Sequence, residues 1–194
     1  MIGQMTLIAL GSNDGSFQGD AAANIAWAVS RIAPLAQGPV SVSPFYATPA
    51  YPTGSGPDFV NAAMAFVTGM DAVAILETLH GIEAEAGRSR AVRWGQRNLD
   101  LDLIAVADQV LPDATTQDHW RGLPQDLQAA TAPDRLILPH PRVQDRSFVL
   151  VPLADVAPGW RHPLLGLSVV QMLDRLPEAD RAGVVRLTDS SAKG

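Results

Sequence analysis

The stretch LDLDLIAVA, Leu99–Ala107, reads as a β-strand whose first half alternates between two faces. Residues i and i+2 of a strand share a face. Leu99, Leu101 and Leu103 therefore turn towards a core, while Asp100 and Asp102 stand side by side on the opposite face. Two adjacent carboxylates repel each other unless a cation removes the cost. The elements around this strand decide what fold holds it.

Upstream, DAVAILETLHGIEAEAG predicts a helix from an Asp71 N-cap to a stop at Gly87, with Val73, Ile75, Leu76, Leu79 and Ile82 on or near one face. Before it, FVNAAMAFVTG reads as a strand. PVSVSPFYATPAY reads as its hairpin partner across the loop YPTGSGPD. Ile25, Val29 and Ile32 fall at helical spacing between Asp20 and Ala33, and Pro34 ends that helix. MTLIAL, Met5–Leu10, is a short apolar run ending at Gly11, a buried first strand. The order is β-α-β-β-α-β, which predicts an α+β, ferredoxin-like sandwich with additions at its C-terminus.

Downstream, residues 112–133 are polar and rich in Pro, Asp and Gln, and read as an insertion or lid with a short helix around DHWRGLPQDLQAA. A short helix is expected over Ser147–Leu153, an amphipathic helix at SVVQMLDRL and a last strand at GVVRL. Residues 188–194 read as a frayed tail. No composition break divides the 194 residues, so one domain over 1–194 is expected.

The hydrophobic fraction of 47% and charged fraction of 18% are globular values. A net charge of -6 argues against a nucleic-acid coat, so any anion must be held by a local patch. There is no Cys, which excludes disulfides and thiolate metal sites and is compatible with a reducing cytoplasm. The start MIGQMTLIAL reads as a strand rather than a signal peptide, and no apolar run is long enough to span a membrane. A cytoplasmic protein with no membrane or nucleic-acid partner is expected.

Directly before the acid pair, Arg88, Arg90, Arg93 and Arg97 lie in a Gly-containing loop with Trp94. Arg is a planar fork suited to phosphate oxygens. Mg²⁺ is commonly held by one or two carboxylates together with substrate phosphates. Two acids beside four arginines therefore suit a polyphosphate bound with Mg²⁺; mutual salt bridging with Glu83, Glu85 and the aspartates is the plainer alternative. A second basic group gathers Arg135, His140, Arg142 and Arg146, with His140 fixed between two prolines. Phe45, Tyr46, Phe59, Trp94 and Phe148 flank the charged loops, where flat heterocycles are commonly held. No Walker A sequence and no kinase Gly-rich loop is present.

Taken together, GSN after the first strand, FYATPAY, PDFVNAA, IEAEAGRSRAVRWGQRNLDLDLI and LPHPRVQDRSFVLVPLADVAP resemble the 6-hydroxymethyl-7,8-dihydropterin pyrophosphokinases of folate biosynthesis. The resemblance covers roughly residues 5–160 apart from 112–133. It implies a ferredoxin-like fold, ATP and 6-hydroxymethyl-7,8-dihydropterin as substrates, and two Mg²⁺ ions. It further implies that Asp100 and Asp102 hold the metals and that Arg88, Arg90, Arg93 and Arg97 lie in a loop that closes over ATP. Arg88, Arg93 and Arg97 join the two aspartates as catalytic residues, and Trp94 packs over the closed site. His80, Glu83, Arg90, Trp94, Arg97, Arg135, Ile137, His140 and Arg146 fall at ATP-binding positions, and Trp94 falls at a pterin-binding position as well. Phe59 and Phe148 would sandwich the pterin, and Asn61, with Thr48, Pro49 and Tyr51, would read its hydrogen-bonding edge. Gln96 and Asn98 depart from the family's usual loop and are expected to make it less stiff. A monomer is expected. The alternative, from another class, is a ferredoxin-like regulatory domain that binds a nucleotide without turning it over.

Overall fold

The computed structural model describes residues 3–15, 17–50, 56–87, 98–124, 127 and 131–188. Its centre is an antiparallel sheet in the order β5-β1-β4-β3-β6, with β2 also paired to β4. The strands are β1 (Gln4–Ser12), β2 (Ser41–Val42), β3 (Tyr46–Thr48), β4 (Phe59–Thr68), β5 (Asp100–Val106) and β6 (Val185–Arg186). Helix α1 (Ala21–Ile32) leads from β1 to β2, and α2 (Ala72–Glu85) leads from β4 to β5.

Both helices begin where an aspartate satisfies an otherwise unpaired amide. Asp20 accepts from Ala23 N at 2.6 Å and Asp71 from Ala74 N at 2.9 Å. Their apolar stripes, Ile25, Ala28 and Ile32 on α1 and Ile75, Leu79 and Ile82 on α2, pack on Ile8, Leu10, Met64, Phe66, Leu101 and Leu103 of the sheet. The opposite face, Leu7, Ala9, Ala63, Ala65 and Ile104, is covered by Val149, Leu150 and Leu153 of one C-terminal helix and by Val169 and Met172 of another. These are α4 (Ser147–Val156) and α5 (Val169–Asp174), separated in sequence from β5 by α3 (Ala114–Gly122). The alternation read in LDLDL is borne out: Leu99, Leu101 and Leu103 are buried, and Asp100 and Asp102 are half-exposed on the other face.

Three expectations are revised. The strand expected across Val40–Tyr46 is two short strands. Val42 faces Met64 but Tyr46 faces Asn61, a slip of one residue. Pro44 lies in the gap and has no N–H to continue the ladder; the Ser43 hydroxyl accepts from Ala63 N at 2.9 Å instead. In the 112–133 segment the helix starts earlier than expected, at Ala114, because Asp113 accepts from Thr116 N at 2.9 Å and caps it there. The segment leaves the body through a two-bond bridge in which Leu111 and Leu138 exchange N–H···O bonds of 2.9 and 3.1 Å. A further helix, α6 (Glu178–Ala182), precedes β6 and was not expected from the sequence. Residues 189–194, at the expected frayed end, lie outside the described residues.

Candidate active site

The register of the three central strands builds the site. Gly11 at the end of β1 faces Asn61 of β4 on one side and Asp100 of β5 on the other; two residues back, Ala9 faces Ala63 and Asp102. Asn61, Asp100 and Asp102 thus stand on one face over a floor of small residues. A Cβ placed on Gly11 would come 3.2 Å from Asn61 Oδ1. The hollow so formed is lined by Ala9, Gly11, Asn61, Asp100, Asp102 and, from α4, Phe148. Phe59 shares this face, two residues before Asn61 on β4.

Asp102 is the electrostatic centre of the described site. Its Oδ2 lies 3.3 Å from an Arg146 guanidinium nitrogen and 4.0 Å from His140 Nε2. The His140 loop is tied along β5 by its own N–H, which donates to Ile104 O at 2.8 Å. His140 Nδ1 accepts from Arg142 N at 3.1 Å. That bond assigns the imidazole proton to Nε2, the nitrogen facing Asp102. Burial pushes the His140 pKa down to about 4, against the pull of Asp102, and Arg146 and Arg142 push the same way. At neutral pH the ring is an uncharged donor. Arg146 also lies over the Phe148 ring, 5.6 Å from its centre. Phe148 itself is 39% exposed, a large aromatic left at the mouth of the hollow.

Beside this group, Asn61 Nδ2 donates to Thr48 Oγ1 at 2.8 Å. The bond orients the amide and leaves Oδ1 towards Gly11. Thr48 is buried and Pro49 is exposed. The amide edge and the aromatic wall therefore sit next to the acid pair, and the sequence expectations for Asp100, Asp102, His140, Arg146, Asn61, Thr48, Phe59 and Phe148 converge on one end of one sheet face.

Other expected residues are placed differently. Glu83 is buried beneath β5, where its Oε1 accepts from Leu101 N at 2.8 Å, so it supports the strand from the protein interior. His80 is on the exposed side of α2. Arg135 pairs with its neighbour Asp134 at 3.1 Å in an exposed position, and Ile137 is buried beside the Leu111–Leu138 bridge. Neither His80 nor Arg135 lines the hollow. Tyr51, Arg88, Arg90, Arg93, Trp94 and Arg97 lie outside the described residues. Residues for which no site role was expected also matter: Gly11, which forms the floor, and Ser12 and Asn24 beneath it. Asn24 had a visible signal, a polar residue beside Ile25 within the apolar stripe of α1.

Among the described residues no group of three His, Cys, Asp or Glu side chains converges as a metal site. Two carboxylates on one strand face nonetheless fit Mg²⁺, which ordinarily completes its octahedron with phosphate and water oxygens. A second groove, about 510 Å³, is at the other end of the sheet against the start of α2; Asp71, Val73, Glu77, Gln109 and Leu111 help to line it. Carboxylates without an accompanying Arg make it a poor polyphosphate site.

A paired-acid face flanked by Arg and an uncharged imidazole donor, with an aromatic and an amide alongside, has the chemistry suited to phosphate groups, and it stands on an antiparallel α/β sandwich. The model of the 7,8-dihydro-6-hydroxymethylpterin-pyrophosphokinase family matches residues 7–158, and the chain belongs to that family. Curated relatives named 2-amino-4-hydroxy-6-hydroxymethyldihydropteridine pyrophosphokinase include those of Pseudomonas aeruginosa, 37% identical over 72% of this chain and 78% of the relative, and Methylorubrum extorquens, 34% identical over 89% of this chain and 94% of the relative. The match to the Synechocystis relative, at 36% identity, covers 62% of this chain and about half, 51%, of that relative. A solved Plasmodium falciparum HPPK-DHPS structure superposes with a TM-score of 0.58 over 89% of this chain and 44% of that one; at 14% identity it shows a shared fold.

Proposed function

We propose that this protein transfers the β,γ-diphosphate of ATP to the hydroxymethyl group of 6-hydroxymethyl-7,8-dihydropterin and releases AMP. The observation that carries the reading is the convergence of Arg146 and His140 on Asp102, on the sheet face that also presents Asp100, Asn61 and Phe148. Family membership supports the same activity. The substrate hydroxyl oxygen bonds to the β-phosphorus as its proton passes to solvent, the bond from that phosphorus to the α,β-bridging oxygen breaks, and the bridging oxygen departs with its electron pair on AMP. Catalysis of this kind rests on positioning and on charge stabilisation.

Each described residue has a part. Asp100 and Asp102 hold Mg²⁺, two ions in our reading, which when bound neutralises phosphate charge and aligns the oxygens. Arg146 and the uncharged His140 Nε2–H donate to phosphate oxygens. Asn61, held by Thr48, offers Oδ1 to the amino-pyrimidine edge of the pterin, with Pro49 and Tyr51 nearby in sequence. Phe59 and Phe148 cover its two faces. Arg88, Arg90, Arg93, Trp94 and Arg97 complete the nucleotide side. Glu83 acts from beneath the site through the Leu101 backbone.

We also read the sheet as ferredoxin-like, supported by an order in which α1 and α2 each connect strands that have one other strand between them. The chain is read as one domain with 112–133 as an insertion, a cytoplasmic monomer. No helix among the described residues is long and apolar enough to cross a membrane. A nucleotide-binding regulatory domain without turnover has no support from the family match. Incubation with ATP, Mg²⁺ and 6-hydroxymethyl-7,8-dihydropterin tests the reading: AMP and the pterin diphosphate are expected in equal amounts, and ATP left intact at saturating pterin would refute it.

A further inference from the structure

Under the acid pair lies a buried polar hub. Asn24, on the buried side of α1, has no exposed surface. Its Nδ2 donates to Asp14 O at 2.6 Å, Asn98 O at 2.9 Å and Ser12 Oγ at 3.1 Å, and its Oδ1 accepts from Gln18 N at 2.9 Å. The Ser12 hydroxyl, also fully buried, donates to the same Asn98 O at 2.7 Å. Asn98 in turn donates from Nδ2 to Ala86 O at 2.9 Å, at the end of α2. One amide therefore joins the end of β1, the loop after it and the residue that leads into β5.

The position of Asn98 gives the hub its consequence. It stands two residues before Asp100, and β5 is an edge strand. An edge strand has backbone groups on its outer side that no neighbouring strand fixes. Here buried side chains fix the backbone at the start of β5 at two points: Asn24 and Ser12 hold the Asn98 carbonyl from the side of β1 and α1, and Glu83 holds the Leu101 N–H. The two points bracket Asp100 and lie just before Asp102. Buried polar groups cost stability unless fully satisfied, and a satisfied network fixes one arrangement. An apolar side chain at position 24 would serve packing alone.

We infer that Asn24 and Ser12 are positioning residues for the Asp100–Asp102 pair, setting the backbone from which both carboxylates project by holding the Asn98 carbonyl. The inference rests on the proposed role of that pair in holding the divalent ion of a nucleotide, and its test separates the two claims. Ser12→Ala removes one hydroxyl and leaves the packing, and Asn24→Leu removes the hub while keeping an apolar volume. Binding of Mn²⁺ is followed by electron paramagnetic resonance in the presence of a non-hydrolysable ATP analogue, alongside AMP release. In Ser12→Ala, Mn²⁺ affinity is expected to fall roughly threefold to tenfold, the scale of one lost hydrogen bond. kcat is expected to fall in parallel, with KM for the dihydropterin within about twofold, because the pterin wall is not held by the hub. A merely structural hub would lower the melting temperature while leaving Mn²⁺ affinity and kcat per folded molecule at wild-type values, and that result overturns the inference. Should Asn24→Leu fail to fold, Ser12→Ala decides alone. Wild-type protein that binds Mn²⁺ but releases no AMP would refute the proposed function, and the Mn²⁺ titration would still decide the positioning claim.

Discussion

Two His-Pro turns in this molecule are built alike and face different surroundings. In His140-Pro141 the ring Nδ1 accepts from Arg142 N at 3.1 Å; in His162-Pro163 it accepts from Leu164 N at 3.2 Å and Leu165 N at 3.3 Å. The proline supplies no N–H of its own and restricts the turn, so the next amide folds back on the imidazole. Both rings carry their proton on Nε2, and burial pushes both pKa values down to about 4. The difference is what Nε2 meets. That of His140 points at Asp102 from 4.0 Å, with a fifth of its side chain reaching solvent. That of His162 has no hydrogen-bond partner among the described residues and is buried in a ring set edge-on to Trp160. The local device makes an uncharged donor; the neighbouring carboxylate and arginine turn one copy into part of a site and leave the other to shape the turn before α5.

Asp102→Ala removes the feature that distinguishes the first turn, and has the largest expected effect. AMP release should fall by about a thousandfold or more, since metal alignment and charge neutralisation are lost together. The partly exposed ion pair with Arg146 stabilises the fold by no more than about 1 kcal/mol, so the melting temperature of the free protein should scarcely move. Mg·ATP should raise that temperature in the wild type and much less in the variant. His140→Ala deletes one phosphate donor, and kcat should drop about a hundredfold with the fold intact. A drop of less than twofold would make the two turns equivalent. Phe148→Ala sharpens the boundary of the first region: calorimetry should show dihydropterin binding several-fold to about tenfold weaker with ATP binding unchanged. Equal losses for both ligands would place Phe148 in the core.

The second turn gives the smallest effect on activity and one on pH dependence. In the unfolded chain His162 titrates near its ordinary value of 6.5, while in the folded protein it stays uncharged down to about 4. Between those values the unfolded state binds more protons, so its stability contribution is present above 6.5 and is lost as pH falls towards 4. His162→Phe should leave AMP release at neutral pH within about twofold and lower stability by about 1–2 kcal/mol through the lost Nδ1 acceptor. Its melting temperature should fall less steeply than the wild type's from pH 7 to pH 4. Parallel curves would show that His162 already titrates normally in the fold.

Much of this was legible in the sequence, and the parts that were not share a cause. The LDLDL alternation placed Asp100 and Asp102 correctly because a strand has one period and one face follows from it. The Asp71 cap was legible because capping acts within three residues. Glu83 was expected beside the nucleotide and is bonded to the Leu101 backbone, a contact across 18 residues that no local pattern encodes. Asn98 was expected to loosen its loop, yet its carbonyl and amide make three hydrogen bonds to Ser12, Asn24 and Ala86. The break at Pro44 was available to a stricter reading, since a proline within an expected strand argues for an interruption. Gln117 in the insertion is fully buried and donates to Pro139 O at 3.2 Å, bracing the loop that carries His140, and nothing in its polar sequence marked that contact.

The central claim is that Asp100 and Asp102 receive the metal of a bound polyphosphate. A crystal structure with Mg²⁺, a non-hydrolysable ATP analogue and 6-hydroxymethyl-7,8-dihydropterin tests it most directly. The account predicts Mg²⁺ at about 2.0–2.1 Å from oxygens of both aspartates and of the analogue's phosphates, with Arg146 and His140 Nε2 on phosphate oxygens and the pterin against Phe148 and Asn61. Phosphates bound elsewhere, with both carboxylates free of metal, would contradict it.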